Sequence, residues 1–117
     1  MLDIQVDRAE GGYTVCRPVG ELDAFTVSQF RQALADLVSK KQIVIDMSAV
    51  PFVDSAGLGA LIGGIRRARE LGGEVAVACS RPTLTRLLKT TGFDRIVTVT
   101  ETVEQAAAAL EQASSPS

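Results

Sequence analysis

A carboxylate and a hydroxyl stand side by side at Asp54 and Ser55, within residues 53–59. An apolar run precedes these residues and an amphipathic stretch follows them, so the pair falls where a strand gives way to a helix. A short polar side chain at such a junction can cap the helix by accepting a hydrogen bond from a free backbone N–H. An exposed hydroxyl there can also accept a phosphoryl group, because a helix N-terminus tolerates added negative charge. The residues alone leave both roles open.

Small residues follow the pair in the predicted helix, and they include Gly57, Gly59, Gly63 and Gly64. Each glycine in a helix interior costs about 0.8–1 kcal/mol relative to alanine, so the stretch is locally unfavourable as a helix. Close packing of the helix on its own sheet could offset this cost. The close approach of another protein's backbone to the first turn could offset it as well.

Histidine is absent from the 117 residues. Its absence rules out Ser-His and Cys-His dyads, imidazole proton transfer and histidine metal ligands. A nucleophilic Ser55 with Asp54 or a lysine as its base stays open as an alternative. No convergent set of acid and base residues accompanies it, and an enzyme is not expected. Residues 57–63 contain one residue too many for a dinucleotide-binding G-x-G-x-x-G, no P-loop is present, and no cofactor is expected.

The two cysteines, Cys16 and Cys79, are far apart in the sequence and form no C-x-x-C or metal-ligand spacing. A free cysteine commonly behaves as a small buried apolar residue. We therefore predict two buried thiols rather than a disulfide or a metal site.

The composition excludes further classes of partner. Lys and Arg number 12 against 14 Asp and Glu, and aromatic residues make up 4% of the chain. The chain thus lacks both the basic excess and the stacking side chains of a nucleic-acid binder. No apolar run approaches the roughly 18 residues that a membrane span needs, and the N-terminus lacks a basic region followed by an apolar one. We expect a cytoplasmic protein that contacts neither nucleic acid nor membrane directly.

Strand and helix patterns alternate along the chain. Apolar and polar residues alternate in two stretches, one before and one after the turn-forming residues 10–12, and this pattern predicts a hairpin. Short apolar runs at residues 43–47, 75–79 and 96–99 predict three more strands, the first two covered on both faces. Apolar residues at helical spacing between and after these runs predict four helices. The order β-β-α-β-α-β-α-β-α predicts an α/β fold, with a mixed β-sheet flanked by helices.

Capping chemistry predicts the helix boundaries. The first helix is expected to open with a capping box of Thr26 and Gln29, and the last with one of Thr102 and Gln105. The third helix is expected to open with a Ser80 cap, with Pro82 in its first turn. The charges of Lys40 and Lys41 suit a helix C-terminus and predict that the first helix ends there. We expect one domain over residues 1–113, followed by a frayed tail over residues 114–117.

Four short motifs occur in one order along the chain: Gly20-Glu21-Leu22-Asp23, Ile45-Asp46-Met47-Ser48, residues 53–59, and Thr91-Gly92-Phe93. Together they resemble the bacterial anti-sigma factor antagonists, which are built on the STAS domain. The resemblance covers nearly the whole chain, and D-S-x-G-L after a strand is fairly specific when G-E-L-D precedes it at this spacing. It implies a single STAS-like domain.

The resemblance implies a regulatory function. Ser55 would be the residue phosphorylated by an anti-sigma factor that is itself a serine kinase. The unphosphorylated chain would bind this kinase and release a sigma factor for transcription, phosphorylation would block binding, and a PP2C-type phosphatase would reset the switch. Many relatives have Ser or Thr after the acceptor, whereas this chain has Ala56, so Ser55 is the sole hydroxyl of the motif.

The resemblance also implies that the loop carrying Asp23 lies beside Ser55 and joins the partner surface. Turn chemistry, in which the Asp side chain bonds nearby backbone, is the alternative role for Asp23. The residues expected to bind the partner are Asp23, Asp54, Ser55, Ala56, Gly57 and Gly59. A second function stays open on the same fold, namely a non-phosphorylated STAS subunit of a lipid-transport or stress-sensing assembly.

Overall fold

A computed structural model describes residues 2–37 and 40–114 of the chain. The strands and helices follow one another in the predicted order, with one additional short 3₁₀ helix at Phe93–Arg95. The elements are β1 (Asp3–Arg8), β2 (Thr14–Val19), α1 (Val27–Leu37), β3 (Gln42–Asp46), α2 (Ser55–Glu70), β4 (Glu74–Ala78), α3 (Pro82–Thr90), β5 (Thr98–Thr100) and α4 (Val103–Ser114). The predicted α/β class and element order are confirmed.

The sheet has five strands in the spatial order β1-β2-β3-β4-β5. β1 and β2 form an antiparallel hairpin, while β2, β3, β4 and β5 pair in parallel. The predicted mixture of strand directions is therefore confirmed. A helix connects each successive pair of parallel strands, as parallel pairing requires a crossover. The α2 N-terminus consequently lies near the carboxyl end of β3.

The central strands are buried on both faces, as their apolar sequences predict. Ile43, Ile45 and Val77 belong to a large core that includes Phe30 of α1 and Leu61 of α2. On the opposite face a smaller core is formed by side chains of β3, β4 and α4, namely Val44, Ala76, Ala78, Ala106 and Leu110. Side chains alternate between the two faces of a strand, so one short run supplies both cores. α2 is therefore packed against one face of the sheet.

α1 ends at Leu37, before the lysines at which the sequence predicts its end. Val38 and residue 39 lie outside the described residues, and Lys40 is already outside the helix. The Lys41 carbonyl accepts a hydrogen bond from Glu74 N at 2.8 Å. Because this bond aligns the chain with β4, the helix has to finish before Lys41. The predicted boundary is therefore wrong.

The predicted serine cap of α3 is also wrong. Arg81 precedes the helix with an extended backbone (φ −80°, ψ 120°), and no side chain caps it. Pro82 is the first residue of α3, as predicted, and a proline disfavours helical geometry in the residue before it. Cys79 N still pairs with Thr100 O at 2.8 Å, so pairing with the neighbouring strand continues to within two residues of Arg81.

The last strand begins two residues later than predicted. Ile96 N and Val97 N both donate to Phe93 O, at 2.9 and 3.2 Å, which continues the turn begun by the 3₁₀ helix. Gly92 precedes this turn with φ of 77°, a left-handed conformation that glycine adopts without steric cost. The buried ring of Phe93 anchors the turn in the core. β5 therefore starts only at Thr98.

Of the two predicted capping boxes, the one before α4 is confirmed. Gln105 N donates to Thr102 Oγ1 at 3.1 Å, and Thr102 N donates to Gln105 Oε1 at 3.2 Å. The box at Thr26 and Gln29 is wrong, because Gln29 Nε2 donates instead to Leu2 O at 3.3 Å. Of the predicted tail, Ser114 ends α4 and residues 115–117 lie outside the described residues.

None of the helices in the described part of the chain has both the length and the hydropathy to cross a bilayer. Both cysteines are free and buried, which confirms the prediction for them. Burial raises the pKa of the Cys16 thiol from its ordinary value of 9.0 to about 11. The cause is desolvation, which disfavours the thiolate in the core.

The raised pKa of Cys16 predicts a pH dependence of stability. In the unfolded chain the thiol ionises near pH 9, whereas the folded chain holds it neutral to about pH 11. The unfolded state therefore binds fewer protons in this window, and stability falls as the pH rises. A pKa difference of this size corresponds to about 2–3 kcal/mol. Urea unfolding between pH 8 and 11 should show a steeper loss for the unsubstituted protein than for Cys16→Ala. Equal slopes would contradict the burial account.

Candidate functional site

The junction between β3 and α2 is organised by Asp54. Its backbone is extended (φ −95°, ψ −175°), and its side chain accepts a hydrogen bond from Gly57 N at 2.9 Å through Oδ1. Of the two candidate caps in the sequence, Asp54 is thus the one that caps the helix, and Ser55 is the first helical residue. The bond satisfies one of the N–H groups that lack an acceptor within the helix.

The second oxygen of Asp54 reaches a distant segment. Oδ2 accepts a hydrogen bond from Ala24 N at 3.1 Å, across 30 positions of sequence. One carboxylate therefore ties the start of α2 to the loop that precedes α1. A charged acceptor strengthens both bonds relative to a neutral one.

Backbone pairing holds the same two segments together. Leu22 N donates to Phe52 O at 2.9 Å, and Asp54 N donates to Leu22 O at 3.1 Å. Leu22 and Val53 form a parallel bridge outside the main strands, and both side chains are buried. The loop of residues 20–26 is consequently fixed beside Ser55.

Asp23 performs the turn chemistry that the sequence left as an alternative. Its Oδ1 accepts hydrogen bonds from Phe25 N at 2.9 Å and Thr26 N at 3.1 Å. The Thr26 hydroxyl accepts from Asp23 N at 3.0 Å and donates to Glu21 O at 2.9 Å. This local network uses the hydroxyl that the predicted capping box required. Asp23 therefore shapes the loop, and its half-buried side chain limits its direct exposure to a partner.

Gly57 is buried rather than open to a partner. A Cβ at this position would lie 2.5 Å from Leu22 O and 2.9 Å from Leu22 Cγ. The glycine therefore allows the close approach of this chain's own loop, and not of another protein. Among the other predicted partner-binding residues, Ser55 and Gly59 are exposed, whereas Asp54 and Ala56 are half-buried. Ser55 and Gly59 are thus the two most accessible of the set.

The arrangement provides no visible activation of Ser55 as a nucleophile. Both Asp54 oxygens accept backbone N–H groups, so its carboxylate is committed to structure. A nucleophilic serine needs a base within hydrogen-bond reach. Within the described ranges, no group of three or more His, Cys, Asp or Glu side chains could hold a metal ion. The geometry favours an exposed hydroxyl on a rigid support.

The STAS domain family matches residues 4–106. The chain belongs to this family. It is 31% identical over 103 residues to the anti-sigma F factor antagonist of Paenibacillus polymyxa, covering 86% of this chain and 88% of that protein. It is 33% identical over 82 residues to the anti-sigma-B factor antagonist of Listeria monocytogenes, covering 68% and 72%. The crystal structure of an anti-sigma factor antagonist from Mycobacterium paratuberculosis superposes with a TM-score of 0.86 at 28% identity, over 95% of each chain.

Two exposed aromatic side chains of this STAS domain were not among the residues predicted from the sequence. Phe25 is 94% exposed and Phe52 is 52% exposed. Phe25 follows Ala24, which bonds Asp54, and Phe52 lies three residues before Ser55. We name Phe25, Phe52 and Ser55 the Ser55 surface.

The double role of Asp54 in this STAS domain predicts unequal effects of two substitutions. Asp54→Ala removes the acceptor for both Gly57 N and Ala24 N, and we expect the free energy of unfolding to fall by about 2 kcal/mol. Asp54→Asn keeps one acceptor oxygen and should cost about half as much. Urea denaturation measures both.

Asp94→Ala is the control for the Asp54 variants, because Asp94 is an exposed carboxylate outside this junction. It should change the free energy of unfolding by less than about 0.5 kcal/mol. A loss close to zero for Asp54→Asn, beside a full loss for Asp54→Ala, would show that the second oxygen contributes nothing to the link between the two segments.

Proposed function

We propose that this STAS domain is an anti-sigma factor antagonist switched by phosphorylation of Ser55. In the unphosphorylated form it binds an anti-sigma factor serine kinase, and the sigma factor held by that kinase is released. Phosphorylation of Ser55 by the kinase ends the binding, and a PP2C-type phosphatase restores it. The names of the relatives at 31% and 33% identity support the anti-sigma factor as partner.

The observation that carries the proposal is the placement of Ser55. Its side chain is exposed at the first position of α2, and Asp54 immediately before it is pinned by hydrogen bonds to Gly57 N and Ala24 N. A hydroxyl on such a support can enter a kinase active site without rearrangement of the fold. Ala56, the next residue, offers no competing hydroxyl.

A phosphate at this position is compatible with the folded state. It adds about −1.5 to −2 charges at neutral pH. The amides of Ser55 and Ala56 are the first two of the helix and have no acceptor within it, so they favour an anion nearby. Asp54 opposes the added charge, but solvent screens charges at an exposed position. We expect the phosphorylated domain to keep its structure.

Binding responds differently to the same phosphate. Docking a partner over the Ser55 surface removes water from Ser55 and its neighbours. A phosphate dianion beside the Asp54 carboxylate then loses hydration next to a like charge, which costs several kcal/mol unless the partner supplies cations. A loss of about 3 kcal/mol already lowers affinity more than a hundredfold. The switch therefore acts on the complex and spares the fold.

The function proposed is that of a regulatory binding module located in the cytoplasm, without a catalytic or cofactor site of its own. The chemistry of phosphoryl transfer and removal belongs to the kinase and the phosphatase. The domain contributes a shaped surface and one modifiable hydroxyl, and neither nucleic acid nor membrane is needed for this function.

The proposal predicts a single phosphorylation site. After incubation with ATP and the purified anti-sigma factor serine kinases of the same genome, mass spectrometry should find phosphate on Ser55, and Ser55→Ala should remove it. Ser28 is the matched control, since it is also exposed in the first turn of a helix, α1. It lies near Leu2 and Asp3 and does not follow an acidic residue. It should remain unmodified.

Binding to the same kinases should follow the charge at Ser55. Ser55→Ala should bind as tightly as the unsubstituted protein, whereas Ser55→Asp should bind at least tenfold more weakly. Ser28→Asp should leave affinity unchanged. Equal affinity of Ser55→Ala and Ser55→Asp would refute the electrostatic switch, and capture of a transporter ATPase instead would favour the lipid-transport alternative.

A further inference from the structure

A groove between α1 and α2 begins one helical turn beyond Ser55. Ser55, Gly59 and Gly63 follow at four-residue intervals, so they lie on one face of α2. All three are exposed. The groove has a volume of about 300 Å³, and its walls include Arg31, Leu34, Ala35, Gly59, Gly63 and Arg67. Apart from the two arginines, the residues that line the groove are apolar or glycine, and the groove continues the Ser55 surface along the helix.

The fold itself gives no reason for Gly59 or Gly63. A Cβ at either position would meet nothing within 4 Å. By contrast, a Cβ at Gly57 would collide with Leu22, and one at Gly64 would collide with the side chain of Leu34. Neither Gly59 nor Gly63 has a positive φ. Alanine would fit at both positions within this chain and would favour the helix, so the two glycines keep the groove open at a cost to stability.

The charges that line the groove are all positive. Arg31 and Arg67 stand on its two walls, in a chain whose net charge is −2. In the part of the chain that the structure describes, no carboxylate lies within salt-bridge distance of Arg31. Arg67 pairs with Glu70 at 3.5 Å, but both side chains are more than 60% exposed, so the pair is weak and replaceable. The groove therefore complements an acidic occupant.

We propose that this groove receives an acidic helix of the anti-sigma factor, as a second contact beside the Ser55 surface. The inference rests on the proposed function and extends it. A helix fits the shape, because side-chain ridges of one helix pack into the groove between two others and the interaxial distance shrinks where the facing residues are small. Carboxylates along the edges of that helix would pair with Arg31 and Arg67, bidentately where geometry allows.

The glycines give a test with two readouts of opposite sign. Gly63→Ala and Gly63→Leu should both raise the urea midpoint of unfolding, because each replaces an exposed helical glycine by a better helix former. Gly63→Leu fills the groove, so its affinity for the purified anti-sigma factor serine kinases of the same genome should fall at least tenfold. The affinity of Gly63→Ala for the same kinases should fall less. A variant that is more stable and binds more weakly cannot be explained by misfolding.

Charge reversal tests the acidic character of the occupant. Arg31→Glu should weaken binding at least fivefold at low salt and reduce its salt dependence. Arg95→Glu is the matched control, since Arg95 is exposed in the 3₁₀ helix and does not line the groove. It should bind as the unsubstituted protein does.

The outcomes separate this inference from the proposed function. If the unsubstituted protein binds none of the kinases, the proposed function fails and the groove contact fails with it. If the unsubstituted protein binds and Gly63→Leu binds equally well, the groove contact alone is overturned. Self-association of the free protein that Gly63→Leu abolishes, measured by sedimentation, would assign the groove to a second copy of this chain and overturn the acidic helix as occupant.

Discussion

The carboxylate of Asp54 is the interaction on which the functional surface depends. One oxygen caps α2 through Gly57 N, and the other holds the preceding loop through Ala24 N. These two bonds act together with the backbone pairing of Leu22 to hold the segments of the exposed Ser55 and the exposed Phe25 beside each other. The buried Leu22–Val53 bridge supports this link from below. The site is therefore an assembly of two segments distant in sequence, joined by the Asp54 carboxylate and by the backbone pairing of Leu22.

Stability and function make different demands on α2. Gly57 serves the fold, because only a residue without Cβ admits the Leu22 carbonyl. Gly59 and Gly63 have no such internal partner and weaken the helix. A helix shaped by packing alone would have alanine at these two positions. The difference between the glycines thus separates Gly57, which the packing of this chain requires, from Gly59 and Gly63, which it does not.

Local patterns in the sequence predicted what local physics decides. The element order, the buried central strands, a cap from either Asp54 or Ser55 and the Thr102–Gln105 box all follow from periodicity and capping. The errors arise where distant segments intervene. Thr26 bonds the Glu21–Asp23 turn instead of capping α1, and pairing with β4 shortens that helix. The burial of Gly57 and the exposure of Phe25 also depend on the loop contact with Asp54, which no spacing in the sequence encodes.

The central claim is that phosphorylation of Ser55 acts on the complex and not on the fold. The direct test prepares the domain fully phosphorylated on Ser55 and compares it with the unphosphorylated domain in two measurements. These are the affinity for the anti-sigma factor kinase, measured by calorimetry, and the free energy of unfolding in urea. The account predicts a loss of affinity of more than about a hundredfold, with a change in unfolding free energy below about 1 kcal/mol. Unchanged affinity would contradict it, and so would a loss of binding that is matched by a loss of folded structure.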